Sequence, residues 1–287
     1  MSLRRREALA LLGAGAASPA LAAAQKLDPE LTALEARTGN RIGLAVLDTG
    51  SGRRLGHRAG VRFPLCSTFK LLAAAAILHR VDTDCEDLGR KVAVRQAEII
   101  SNSPFSEQHV GEAVTLGALC EAAVTLSDNT AANYILMALG GPQGVTGFAR
   151  SIGDKVTRLD RRETALNEVG PHDPRDTTTP DAMLADLQKL TLGAALRPAS
   201  RDRLTGWLVA NKTGGACLRA GVPADWKVGD KTGAWVPNGG VSDVAILWPP
   251  HRAPILAAAY TYGGPGDLAE RRKALAEIGR IVARRFG

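Results

Sequence analysis

The chain has 287 residues, of which 45% are hydrophobic and 23% charged, with a formal net charge of +7. That length allows a large core or two lobes, and this balance excludes a disordered or fibrous chain. No Lys/Arg run beyond the N-terminus is long enough for a nucleic-acid patch, so a mildly basic solvated surface and no nucleic-acid partner are expected.

The N-terminus reads as an export signal over residues 1–24. Arg4-Arg5-Arg6 supplies a charged region, Ala8 to Ala17 a short apolar stretch, and Ala20-Leu21-Ala22-Ala23-Ala24 small-residue cleavage sites. The paired Arg5-Arg6 also suits a twin-arginine signal. The apolar part is too short for a stable membrane anchor, and nothing later looks transmembrane. Asp28-Pro29-Glu30 starts a helix with Pro near its first position, ending near Gly39. Arg41 to Asp48 reads as a strand, Thr49-Gly50-Ser51-Gly52 as a turn, and Arg53 to His57 as the hairpin partner.

Phe63-Pro64-Leu65 leads into Ser67-Thr68-Phe69-Lys70 and the apolar run Leu71 to Leu78, expected to be a helix beginning at Ser67. On a helix the i and i+3 positions share a face, which would bring the Ser67 hydroxyl to the Lys70 amine. A serine needs a base to become a nucleophile, and a lysine in apolar surroundings can lose its charge and serve as one. Taken alone, a surface serine and lysine explain the same residues. The chain then reads helical to about residue 208. Thr115 caps one helix, Asn129 to Leu139 forms another that stops at Gly140-Gly141, and Thr179-Pro180-Asp181 starts a third with Met183, Leu184, Leu187 and Leu190 buried. Arg158 to Thr178 is dense in charge without apolar periodicity, the pattern of a functional or disordered loop. Strands return over Trp226–Thr232, Val241–Trp248 and Ile255–Tyr262, and Leu268–Phe286 closes as an amphipathic helix.

The fold class is therefore α+β. One antiparallel sheet, flanked by the terminal helices, is built from residues 25–61 and 209–287, and a helical lobe over 62–208 is inserted between them. The active site is expected at the lobe interface. Four cysteines, Cys66, Cys85, Cys120 and Cys217, are too few for a disulfide scaffold and lack metal-site spacing. Buried free thiols are the default, with one disulfide left open.

Three further clusters carry chemistry. Ser127-Asp128-Asn129 could shuttle a proton and hold a substrate amide, or be a plain helix-linking turn. Lys231-Thr232-Gly233, at a strand end, could place a cation beside an anionic group and let a flat substrate lie along the strand. Glu163 with Asn167 could position a water for a general base, the loop being held by Arg161 with Asp176. In this order, S-x-x-K, S-D-N and K-T-G form the signature set of penicillin-interacting serine enzymes. With Arg158 to Glu168, Asp173 to Pro180 and Asp230 to Ala234, nearly the whole mature chain resembles the class A serine β-lactamases.

The resemblance implies a five-stranded sheet and hydrolysis of penicillins and cephalosporins through a Ser67 acyl-enzyme. The backbone N–H groups of Ser67 and Ala234 would form the oxyanion hole. Lys70 and Glu163 would share activation of Ser67, Ser127 would protonate the departing nitrogen, and Glu163 with Asn167 would hold the hydrolytic water. Lys231 and Thr232, followed by Gly233, would meet the substrate carboxylate, and Asn129 the side-chain amide. It also implies no cofactor or metal, a periplasmic location, and a mature monomer free of the membrane. Some positions depart from the family. Val241 stands where many members carry a carboxylate-binding arginine, leaving Arg272 as first candidate for that role and Arg219 as second. Trp235 occupies a position usually small or cysteine, which removes the disulfide partner that Cys66 has in some members. Asn102 replaces a common aromatic at the site mouth, and Arg162 and Thr164 flank Glu163 where an aromatic and a proline are common. The rival readings are a D-alanyl-D-alanine peptidase (a penicillin-binding protein) and a non-hydrolytic β-lactam sensor domain.

Overall fold

The computed structural model describes residues 27–170, 172–235 and 240–287. The expected export signal lies outside them. Helix α1 (Pro29–Thr38) starts because Asp28 accepts hydrogen bonds from the Glu30 and Leu31 amides, and it stops where Gly39 turns left-handed at φ 67°. Strand β1 (Asn40–Asp48) follows, and β2 (Arg54–His57) returns beside it. The short β3 (Phe63–Pro64) leads into a 3₁₀ turn, Cys66–Thr68, and only then into α2 (Phe69–Asp82). The expected helix start at Ser67 is thus a tighter turn, with Cys66 at φ 43°.

The helical lobe is not purely helical. It contains β4 (Lys91–Ala93) paired with β5 (Ala113–Thr115), and β3 pairs with β6 (Thr177–Thr178). Its helices are α3 (Leu116–Thr125), α4 (Asn129–Ala138), α5 (Pro142–Ser151), α6 (Pro180–Thr191) and α7 (Pro198–Val209). Thr115 and Thr179 cap α3 and α6 through their hydroxyls, as the sequence predicts. Helix α2 is buried along Phe69 to Leu78. The small side chains of Ala73 to Ala76 let α3, α4, α5 and α7 all pack around it.

The last third supplies β7 (Lys227–Trp235), β8 (Gly240–Trp248), β9 (Ile255–Gly263) and α8 (Leu268–Phe286). The antiparallel sheet has the order β2-β1-β9-β8-β7, so both ends of the chain build it. Period-two alternation sorts β1 between two cores. Ile42, Leu44 and Val46 face α1 and α8, whereas Ala45 and Leu47 face the helical lobe. Leu275, Ile278, Ile281 and Val282 are the inward stripe of α8, each stabilising by about 1.5–3 kcal/mol on burial. Among the described residues no helix is long and apolar enough to cross a membrane.

The 3₁₀ turn Leu218–Gly221 lies directly on α8. A Cβ on Gly221 would come 2.0 Å from the Ala276 carbonyl oxygen, a backbone atom that cannot swing aside. Gly221→Ala is therefore expected to cost about 1–3 kcal/mol. Denaturant unfolding should show a lower midpoint with an unchanged m-value.

Candidate active site

The 3₁₀ turn that carries Ser67 packs against β7 and β8. Leu65 N donates to Asp176 O at 2.9 Å, the Thr68 hydroxyl donates to Leu65 O at 2.6 Å, and Tyr260 Oη lies 3.2 Å from Thr68 Oγ1. Strand β7 runs close beside the turn because residue 233 is glycine. A Cβ there would meet Ser242 Oγ at 2.6 Å and the Ser67 amide nitrogen at 3.1 Å.

Ser67 and Lys70 meet through a shared carboxylate oxygen. Ser67 Oγ donates to Glu163 Oε1 at 3.3 Å, and Lys70 Nζ lies 3.0 Å from the same oxygen. The surroundings of Lys70 differ from the apolar ones expected. Its fully buried Nζ also donates to Ser127 O at 2.9 Å and Asn129 Oδ1 at 2.5 Å. Glu163 Oε2 accepts from Asn167 Nδ2 at 2.8 Å.

The loop that carries Glu163 is held at both ends and in its middle. Arg161 pairs with buried Asp176 at 2.6 Å, as expected, and Asp176 Oδ1 also accepts from the Asp160 and Arg161 amides. Asn133, projecting from α4, clamps the Glu163 backbone. Its Oδ1 accepts from Glu163 N and its Nδ2 donates to Glu163 O, both at 3.0 Å. From sequence Asn133 is only a position within the helix expected over Asn129 to Leu139. Asp128 has a supporting role too: it caps α4 through Ala131 N and accepts from Phe105 N, Ser106 N and the Ser106 hydroxyl.

On the opposite wall, buried Lys231 Nζ donates to Ser127 Oγ at 3.1 Å and to Thr232 O at 2.7 Å. Burial first, then the nearby Lys70 charge, lowers the Lys231 ammonium from 10.5 to about 7, against the opposing pull of Asp230, Glu163 and Asp243. Ser67, Asn102, Ser127, Asn129, Glu163, Asn167, Thr232, Gly233, Ala234, Trp235 and Arg272 line one cleft of about 350 Å³. Asn129 contributes with its amide already engaged, Nδ2 donating to Ser101 O at 2.8 Å. Asn102 donates from Nδ2 to Ser127 O at 3.0 Å.

Two expectations change. Arg219 does not stand among the cleft-lining residues; it pairs with buried Asp230, which draws its guanidinium behind β7. Arg272, on α8, is left as the arginine at the cleft, while Val241 is buried opposite Ala234 in the sheet core. The cysteines Cys66, Cys85, Cys120 and Cys217 are all free, and Cys85 is exposed where a buried thiol was expected. Cys66 is no rival nucleophile, since burial and then the Glu163 charge push its thiol up to about 12. Among the described residues no group of His, Cys, Asp and Glu could hold a metal ion.

Known proteins resemble this chain over nearly its whole length. The model of the β-lactamase enzyme family matches residues 26–286. A solved ancestral class A β-lactamase (GNCA) superposes with a TM-score of 0.88 at 55% identity, covering 91% of this chain and all of that one. The chain belongs to the class A β-lactamases. β-Lactamase L2 of Stenotrophomonas maltophilia is 46% identical over 278 residues, 96% of this chain and 91% of that protein. CTX-M-8 of Citrobacter amalonaticus is 45% identical over 266 residues, 92% of this chain and 91% of that one.

The Lys231 environment yields a pH prediction for a class A enzyme of this geometry. The lysine is charged below about 7 and neutral above, and only the charged form attracts an anionic substrate. The ratio kcat/KM, which reports the free enzyme, should fall as pH rises through that value. Lys231→Arg, which keeps its charge, should move that basic limb out of the neutral range in a pH–rate profile.

Proposed function

We propose that this protein hydrolyses the β-lactam amide bond of penicillins and cephalosporins, conferring resistance, with Ser67 as nucleophile. The observation that carries the reading is Glu163 Oε1, which receives both the Ser67 hydroxyl and the Lys70 ammonium. A substrate in the cleft would direct its carboxylate to Lys231, Thr232 and Arg272, and its amide side chain to Asn129. Its lactam carbonyl oxygen would take hydrogen bonds from the Ser67 and Ala234 amides.

In acylation Ser67 Oγ bonds to the lactam carbon while its proton passes to Glu163 Oε1, the acceptor it already faces at 3.3 Å. Lys70 stabilises the oxygen pair and favours Glu163 over itself as the base. The C–N bond then breaks, and the nitrogen takes a proton from Ser127, which Lys231 flanks at 3.1 Å. Ser127 regains a proton from Lys70, 3.5 Å away, and Lys70 takes the former Ser67 proton from Glu163 Oε1, 3.0 Å away, so that Glu163 is again a carboxylate. In deacylation a water held by Glu163 and Asn167 attacks the ester carbon, gives its proton to Glu163, and Ser67 leaves with a proton restored. No metal or organic cofactor takes part. We read the enzyme as a monomer exported to the periplasm by the leader over residues 1–24, with no membrane attachment once mature. At the rim, Trp235 and Asn102 together with Arg272 set which side chains enter.

Turnover of a chromogenic cephalosporin, measured beside release of D-alanine from a D-alanyl-D-alanine peptide, tests this reading. Wild type should turn over the cephalosporin and leave the peptide intact, and Ser67→Ala should lose about 10⁴-fold or more in kcat/KM. Peptide release without lactam turnover, or lactam turnover that survives Ser67→Ala, would overturn it.

A further inference from the structure

From the cleft wall, which Thr213 and Thr232 both line, a chain of polar groups runs inward to a buried ion pair. Arg219 pairs with Asp230 Oδ1, and Asp230 Oδ2 accepts from Asn211 Nδ2 at 2.9 Å. The amide nitrogen of Asn211 therefore faces the carboxylate, and its Oδ1 faces the other way. That oxygen accepts from both the backbone N–H of Thr213, at 3.0 Å, and the Thr213 hydroxyl, at 2.8 Å. Thr213 Oγ1 in turn lies 2.5 Å from Thr232 Oγ1.

The Asn211 end of this chain sets its resting direction, although either threonine hydroxyl can donate to the other. An amide oxygen only accepts, so the Thr213 hydroxyl proton points to Asn211. Along its contact with Thr232 it can then only accept, so Thr232 supplies that proton. The resting Thr232 hydroxyl thus turns its lone pairs toward the cleft. A carboxylate is also acceptor-only, so the two would repel unless the chain reverses.

We propose that Thr213 is a positioning residue that switches the Thr232 hydroxyl from acceptor to donor when a substrate carboxylate arrives. Two hydroxyl rotations suffice. Thr213 turns its proton from Asn211 Oδ1 to Thr232 Oγ1, and Thr232 turns its own to the carboxylate. Asn211 Oδ1 keeps the Thr213 N–H throughout, so no buried acceptor is orphaned. The Asp230–Arg219 pair holds Asn211 in the orientation the switch needs. A hydroxyl that accepts a hydrogen bond donates a stronger one, so Thr213 improves carboxylate capture. The inference rests on the proposed role of Lys231 and Thr232 as the carboxylate site.

The test compares a cephalosporin with its descarboxy counterpart. Thr213→Val should lower kcat/KM about 3- to 10-fold for the carboxylate-bearing substrate, mainly through KM. The descarboxy compound should react equally with wild type and variant, and Thr213→Ser should restore the wild-type ratio. Thr213→Ala carries the same comparison if the valine variant does not fold. Equal losses on both substrates, no loss on either, or failure of serine to rescue would overturn the relay while leaving lactam hydrolysis intact. Absence of turnover by wild type would overturn the proposed function itself, and the relay's role with it.

Discussion

The buried pair of Lys70 and Glu163 is the constraint on which the rest of the site depends. Both side chains are withdrawn from solvent, at 0% and 1% exposure, and their atoms stand 3.0 Å apart. Desolvating two charges costs several kcal/mol per ion, which attraction alone offsets poorly, and removing one partner from such a pair typically costs about 3–5 kcal/mol. The pair persists because both ends are further satisfied. Lys70 is ringed by oxygens of Ser127 and Asn129, and Glu163 is held by Ser67, Asn167 and, through its backbone, Asn133. A charged pair of this kind contributes little to stability and much to reactivity, since it places a carboxylate against a serine hydroxyl.

The fold can be understood as the means of assembling that pair and an electropositive wall opposite it. Helix α2 brings Lys70, the charged loop brings Glu163, and α4 brings the asparagine clamp. Strand β7 then adds a second buried cation, Lys231, hydrogen-bonded to Ser127. Lys70 and Lys231 thus converge on the Ser127 hydroxyl from α2 and β7, while Asp230 pairs with Arg219. Asp176 ties the Ser67 turn to the Glu163 loop, its carbonyl accepting from the Leu65 amide and its carboxylate pairing with Arg161.

Much of this was legible in the sequence where a residue's role is local. The Asp28 cap with Pro29, the Gly39 stop, the hydroxyl caps at Thr115 and Thr179, and the span of α8 all follow from neighbouring residues. The motif residues were legible because their order matches a known signature. Roles that depend on distant partners were not. Nothing near Asn133 signals that its amide bridges the Glu163 peptide, and nothing near Thr213 signals its contact with Thr232. Arg219 looked available because Asp230 is 11 residues away and on another element. Helix α5 reads from sequence only as part of the helical block, although Val145, Phe148 and Ala149 form its buried face. The turn at Ser67 was misread as helix because an apolar run conceals the 3₁₀ entry with Cys66 at positive φ.

The central claim is that Glu163 drives release of the acyl group. Intact-mass spectrometry of Glu163→Ala mixed with a penicillin tests it directly, because the substitution removes the carboxylate and leaves Ser67 in place. The account predicts a covalent adduct, equal to enzyme plus intact penicillin, that persists long after wild type has cleared its substrate. An adduct that clears at the wild-type rate would contradict it.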